Sequence, residues 1–370
     1  MRRLAVWFAL AVLLGGGALA EEAAQRAFGE ADMSGILNFA SEYGAEVDPA
    51  EVAQAALRGD MPDMRELFEA LKRRLAAPIF DALRAGRGLL GPVLLLALLR
   101  CAMSDASGGS GGARFLLRLT LLMGFSEMAM NSLDSSMQCI RAAKSLAGAA
   151  APALTALLAA MGMAGTSALV SPAAALIGDA AEGLFLNWGM PLCRFALCAA
   201  IAGSITPAVD LSGAAKLMRK AANWGAGLAT TFFTAMLALQ GSVTGTVDGV
   251  AVRTAKFAVD SAAPVIGSGV SDAWDSYVAG VLIAKNAVGL SGIAALMGVV
   301  LEPMLVCAAS MLILNLISAL LSALGEGDSA RAAGQISGIC QMALSLATGA
   351  VAIATVLLGA AMAAGANLAG

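Results

Sequence analysis

The sequence predicts an all-α, polytopic helical membrane protein with an internal repeat, preceded by a signal peptide and a small helical exported region. Three observations carry the prediction. Hydrophobic residues make up 59% of the 370 residues and charged ones only 13%, about half the share usual in soluble domains. Mean hydropathy is +0.80. Several apolar segments approach or exceed the roughly 20 residues a helix needs to cross a bilayer, and each is bounded by Gly, Pro or charge. Backbone groups in hydrocarbon have no water to bond, so such spans are expected as helices.

The apolar residues are mainly Ala, Leu, Gly and Met, with 2 Tyr and 12 Phe. Small side chains let transmembrane helices approach closely, which predicts a tight bundle. The formal net charge is −3 and the longest basic run is Lys72-Arg73-Arg74, so nucleic acid is not an expected partner. Membrane lipid and other proteins are. Cys101, Cys139, Cys193, Cys198, Cys307 and Cys340 lie in or beside apolar segments without a CxxC pair, and histidine is absent. Those thiols read as small hydrophobes, and no metal or cofactor is predicted.

Taken from the N-terminus, Arg2 and Arg3 precede an apolar run from Leu4 to Leu14, and Ala18-Leu19-Ala20 follows. A positive start, a short apolar run and an A-x-A site predict a signal peptide over 1–20, with Ala18 and Ala20 forming the cleavage site. Residues 21–85 carry half of the acidic residues and read as an extracytoplasmic helical region. Within it, Asp48-Pro49-Ala50-Glu51 combines an N-cap, Pro at the first helical position and Glu at the third, which predicts a helix start. Met64, Leu67, Phe68, Leu71 and Leu75 form an apolar stripe at helical spacing, opposite Arg65, Glu69, Lys72 and Arg73. A small module lying on the membrane or on a partner fits both signals.

The multispanning domain is expected over 86–370. Candidate spans or embedded segments are about 88–103, 114–131, 150–177, 184–208, 224–242, 278–300, 303–324 and 336–366, giving six to eight crossings. Arg141-Ala142-Ala143-Lys144 followed by Ala150-Ala151-Pro152 is matched by Arg253-Thr254-Ala255-Lys256 followed by Ala262-Ala263-Pro264. Pro191 and Pro303 hold the same 112-residue offset as Pro152 and Pro264. Internal duplication over about 114–225 and 226–337 is the inference. Both copies follow a basic loop: Arg100, Arg114 and Arg118 before the first, Lys216, Arg219 and Lys220 before the second. Equivalent positive loops predict the same orientation for both halves, with the stretches after Pro152 and Pro264 broken or re-entrant.

The least lipid-like stretch of this domain runs from Gly245 to Asn286. On a helix, Arg253, Lys256 and Asp260 share one face, and so do Asp272 and Asp275 after the breaks at Pro264 and Gly267/Gly269. Ionisable groups at membrane depth cost several kcal/mol unless paired or hydrated, so they usually face the bundle or water. Asp248, Arg253, Lys256, Asp260, Asp272, Asp275, Lys285 and Asn286 are therefore candidates for a polar interface or pore-side surface, and Arg141 and Lys144 join them through the repeat. An extramembrane loop with solvated charges is the alternative for this stretch.

The run Asp248-Gly249-Val250-Ala251-Val252-Arg253-Thr254-Ala255-Lys256-Phe257-Ala258 continues to Pro264-Val265-Ile266-Gly267, Ser271-Asp272 and Lys285-Asn286-Ala287-Val288-Gly289. It resembles the stage III sporulation protein AE family, as does the plan of signal peptide, short exported region and multispanning domain. The resemblance implies a non-enzymatic membrane subunit of the channel-like complex that joins mother cell and forespore and is required for forespore development. It also implies a multi-pass place in the mother-cell membrane surrounding the forespore. The implied partners are other stage III sporulation operon proteins and stage II sporulation protein Q.

Two other classes compete. Duplicated halves and Gly/Pro-broken helices also suit an autonomous secondary transporter or permease for a small solute. A membrane-embedded enzyme would draw on Glu127, Asp179, Glu182 or Glu302, but no two of these have a recognised catalytic spacing and the commonest general base is absent. Those carboxylates read better as caps or interfacial charges.

Overall fold

The computed structural model describes residues 21–45, 47–59, 88–89, 91–95, 98, 111–205, 212–262 and 267–364. Over 238–262 and 267–273 the backbone is described, and the side chain only at Thr254. The signal-peptide reading with Ala18 and Ala20, the stripe from Met64 to Leu75 and most of the segment 88–103 lie outside these residues.

Among the described residues every regular element is helical. The N-terminal region supplies α1 (21–30), α2 (Ser34–Glu42) and α3 (Pro49–Arg58). Asp48 caps α3 as its sequence predicts: its carboxylate accepts the Ala50 N–H at 2.8 Å, Pro49 opens the first turn, and Gly59 at φ 71° closes the helix. Before α2, Asp32 accepts the Ser34 N–H at 3.0 Å, and bonds from the Ser34 hydroxyl and N–H hold its carboxyl below the usual range.

The long elements are α4 (Gly111–Ala160), α5 (Ala164–Glu182), a π-helical segment (Gly183–Gly189), α6 (Met190–Ile205), α7 (Ser212–Ala262), α8 (Gly267–Ala323) and α9 (Gly327–Ala363). Among the described residues, four stretches are long and apolar enough to cross a membrane: Phe115–Ala160, Ala164–Ile205, Trp274–Ala323 and Gly327–Ala363.

Named contacts fix the direction of each rod. Arg118 near the start of α4 pairs with Glu326 and Asp328 at the start of α9, so α4 and α9 run parallel. Between α4 and α8, Cys307 donates to the Ser132 carbonyl and Cys139 to that of Val300, an antiparallel order. Ser318 donates to the Ala330 carbonyl at 2.7 Å and Ser337 to that of Met311 at 3.0 Å, so α8 also opposes α9. Ser167 of α5 reaches the Thr155 carbonyl of α4 at 3.0 Å, across the turn at Gly162. Arg219 and Thr230 of α7 lie against Gly338 and Gly349 of α9, in parallel. The chain thus passes up, down, up, down and up, with α5, the π segment and α6 forming one pass.

The core lies among α4, α8 and α9, where Leu121, Phe125, Leu133, Leu146, Val288, Leu296, Leu314, Ile336 and Leu346 are buried. Glycine makes the turns: Gly162 at φ 79° between α4 and α5, and Gly325 at φ 78° between α8 and α9. The π segment brings Trp188 against Gly225, where an added Cβ would lie 2.8 Å from the indole. Its own Gly189 receives the Leu346 side chain.

Several expected boundaries move. The segments 114–131 and 150–177 are joined by a continuous α4, which passes through Pro152 and ends only at Ala160. The segments 278–300 and 303–324 fuse into α8 through Pro303. In a bundle, neighbouring helices and tight packing tolerate a proline without a break. Gly267 and Gly269 do not interrupt α8 but begin it, and Gly245–Ala262 belongs to α7 rather than to a loop. Residues 263–266, with Pro264, lie outside the described residues.

Candidate functional site

Among the described residues, many polar groups of the long helices gather in clusters between helices, and others form an outward stripe on α4. At the end of the bundle where α4 and α9 begin, Arg118 donates to Glu326 at 2.9 Å and approaches Asp328 at 3.5 Å, while Arg331 bonds Asp328 at 2.5 Å. Glu326 is only 4% exposed. Its place after the Gly325 turn points the carboxylate across to α4 instead of capping α9. Ser204 of α6 and Ser329 border the same small hollow.

About halfway along, Lys144 of α4 is shared by two carboxylates of α5, Asp179 at 2.8 Å and Glu182. Asp179 and Glu182 are one helical turn apart, so they reach one ammonium from the same face. Ile140, Ala147, Ile177, Ala350, Ile353 and Leu357 wall the space beside this trio. The expected repeat points to Lys144; its partners read from sequence as caps or interfacial charges, and the i, i+3 spacing of Asp179 and Glu182 is the available signal.

The third cluster is the seam between α4 and α8. The Ser136 hydroxyl donates to the Ser132 carbonyl at 2.8 Å and lies 3.3 Å from Cys307 Sγ. Cys139, Cys193, Cys307 and Cys340 are all buried. Toward the far end, Lys285 of α8 has no exposed surface and donates to the Ala364 carbonyl just beyond α9. A cation on the last carbonyls of a helix satisfies an orphan acceptor and its dipole.

The predicted polar residues are not gathered into one place. Lys285 is buried and Asn286, its neighbour, is exposed. Asp275 is half-buried with an interaction of its own, and Arg141 is exposed on α4. Asp248, Arg253, Lys256, Asp260 and Asp272 sit on helical backbone in α7 and α8, and their side chains lie outside the described residues.

The outward stripe went unnoticed in the sequence. Glu127, Asn131, Asp134, Gln138 and Arg141 are all exposed on α4, while Met128, Leu133, Ile140 and Ala142 beside them are buried. Glu127, Asp134 and Arg141 stand seven residues apart, as do Asn131, Gln138 and Ser145. That heptad spacing was the signal that could have found it. Among the described residues, no three Asp, Glu or Cys side chains come together as a metal site.

These features define a bundle of long helices suited to crossing a membrane, whose charges tie helix to helix or line its outer face. The family described as Stage III sporulation protein AE matches residues 54–366, and the chain belongs to that family, which makes it a sporulation protein. The stage III sporulation protein AE of Bacillus subtilis (strain 168) is 27% identical over 265 residues, covering 69% of this chain. The match spans 65% of that relative's length. No solved structure matches the chain.

Proposed function

We propose that the chain is a non-enzymatic, multi-pass subunit of the channel-like complex joining mother cell and forespore, required for forespore development. It resides in the mother-cell membrane surrounding the forespore, and works with other stage III sporulation operon proteins and stage II sporulation protein Q. Membership of the family supports the sporulation role. The observation that carries the subunit reading is the direction of the α4 polar groups: Glu127, Asn131, Asp134, Gln138 and Arg141 point away from the packed interior. An autonomous transporter holds its solute near the midplane between its own helices, whereas the inward charges here are taken up by one another, Arg118 by Glu326 and Lys144 by Asp179 and Glu182. A subunit meets its partners, or shared water, on the outside.

The test is purification of the tagged chain from sporulating cells together with a deletion strain. Recovery of stage II sporulation protein Q and the operon proteins, and arrest after engulfment in the deletion, are the expected results. Solute accumulation by the purified chain alone in liposomes, with no partner recovered, would overturn the proposal in favour of a permease.

A further inference from the structure

The side chains of α7 are arranged in the reverse of the order water imposes. Among its described residues, Ala215, Ala222, Ala226, Ala229 and Leu237 are buried, while Leu217, Trp224, Leu228, Phe232 and Met236 are exposed, Trp224 to 70%. A helix facing water buries its large apolar side chains and shows polar ones. Lipid permits the opposite, with small residues at the helix contacts. From Ala221 to Val247 the sequence has no Asp, Glu, Lys or Arg, a run longer than the roughly 20 residues that cross hydrocarbon.

Cations stand at the head of this face. Lys216 and Lys220 are exposed, and Arg219 is half-buried with its guanidinium laid against Gly338 of α9. Arg118, Lys144 and Arg331 are each held by carboxylates, whereas Lys216, Arg219 and Lys220 have no ion pair among the described residues. Nor do they serve the helix, because α7 has no acidic residue in its first turn and cations near an N-terminal end oppose the dipole. One turn beyond Lys220 comes the exposed indole of Trp224, and the half-exposed Trp188 of the π segment packs next to it on Gly225. Cation, then tryptophan, then apolar side chain is the order met on entering a bilayer, since Lys and Arg reach the head groups and Trp settles at their level.

The opposite limit of the apolar layer agrees. Ile36 of α2 and Leu358 of α9 both border Gly292, and Asn38 and Glu42 of the same α2 are exposed. Along α9, Leu358 is 20 residues beyond Gly338, about 30 Å of helix, which is the thickness of the hydrocarbon layer.

Resting on the reading of this chain as a multi-pass membrane protein, we infer that the start of α7 is a binding site for anionic phospholipid. Lys216, Arg219 and Lys220 hold the head-group phosphate, Trp224 and Trp188 lie at the level of the glycerol, and the acyl chains run along Leu228, Phe232 and Met236. A head group of net negative charge, such as that of phosphatidylglycerol, is preferred to phosphatidylcholine, whose quaternary ammonium would bring a further positive charge to unpaired cations.

The experiment uses the full chain purified in detergent without its sporulation partners. It is equilibrated with equal amounts of phosphatidylglycerol and phosphatidylcholine of the same acyl chains, and bound lipid is read by native mass spectrometry. The parent is expected to retain phosphatidylglycerol in preference. K216Q/K220Q loses that preference, by roughly fivefold for each cation removed, and K216R/K220R keeps it. R26Q/R331Q, which removes exposed cations elsewhere, keeps it too. Glycerol phosphate, added as a soluble head group, leaves the bound lipid in place. Equal retention of both lipids by the parent, or an unchanged preference in K216Q/K220Q, would overturn the inference. The same loss in R26Q/R331Q or in K216R/K220R would also overturn it, because neither a general charge effect nor a lysine-specific contact is the proposed site. Displacement of the lipid by glycerol phosphate would do so as well, since a soluble anion would then be the ligand. Failure here alongside recovery of the operon partners from sporulating cells removes only this site; the opposite outcome removes only the proposed complex.

Discussion

Replacing Gly35 and Gly292 by alanine separates close helix docking from intrinsic helix preference. Both glycines lie where α2 of the N-terminal region rests on the long helices. A Cβ at Gly35 meets the Ala149 carbonyl oxygen of α4 and lies 3.1 Å from its carbonyl carbon and 3.3 Å from its Cα. Those are backbone atoms in the middle of a 50-residue helix, so α2 must move. Overpacking of this kind costs about 1–3 kcal/mol, set against a small gain in helix preference near the start of α2. A Cβ at Gly292 meets only side-chain ends, Leu358 at 3.6 Å and Ile36 and Leu146 at 3.9 Å. That is ordinary contact in mid-helix, where Gly to Ala gains about 0.5–1 kcal/mol. Gly35→Ala is therefore expected to lose stability and Gly292→Ala to gain it. Denaturation of the purified protein in detergent measures both, and limited proteolysis between α3 and the membrane helices reports whether α2 has lifted. A Gly35→Ala variant as stable as the parent, or a Gly292→Ala variant that loses as much, would refute the docking geometry.

Three further outcomes rest on other parts of the bundle. Among the described cysteines, Cys198 is exposed and Cys139, Cys193, Cys307 and Cys340 are buried, so maleimide treatment of the folded protein followed by peptide mapping should label Cys198 and spare the four until unfolding. Lys144→Met leaves Asp179 and Glu182 one turn apart without their shared cation; because Asp179 is 67% exposed, solvent screening holds the loss to about 1 kcal/mol. Restoring the parent's stability with Lys144→Met and Glu182→Gln together, measured in a double-mutant cycle, checks that origin. Asp48→Ala removes the cap of α3 and is expected to cost about 1 kcal/mol, read as earlier unfolding of the N-terminal helices.

What the sequence revealed depended on whether the signal was local. The start of α3 was legible because Asp48, Pro49 and Glu51 act within one turn. Helical spans were legible from apolar length. Their joins were not, because a proline such as Pro152 or Pro303 ends a helix only where the surroundings fail to hold it, and here α8 and α9 pack on α4 while α4 and α9 pack on α8. The exported helices were expected to lie on the membrane or a partner, whereas α2 packs on the chain's own α4: a glycine docked on a distant carbonyl leaves no mark in local pattern. Lys144 was found through the repeat, yet its link to Asp179 and Glu182 needed the antiparallel approach of α5. The α4 stripe was missed for another reason. The densest polar segment, 245–286, holds charges close in sequence, while Glu127, Asp134 and Arg141 are dilute in sequence and aligned in space.

The length of the rods has a mechanical consequence. At about 1.5 Å per residue, the 57 residues of α8 trace a contour of about 85 Å, against a hydrocarbon layer of about 30 Å. More than half of that helix must therefore project beyond the lipid, braced by α4 and α9 along much of its course. The bundle is a mast as well as a crossing. Whatever binds its far end is held at a standoff set by helix length, so inserting or deleting whole turns in α8 would change a distance between attachment points while leaving each of them intact.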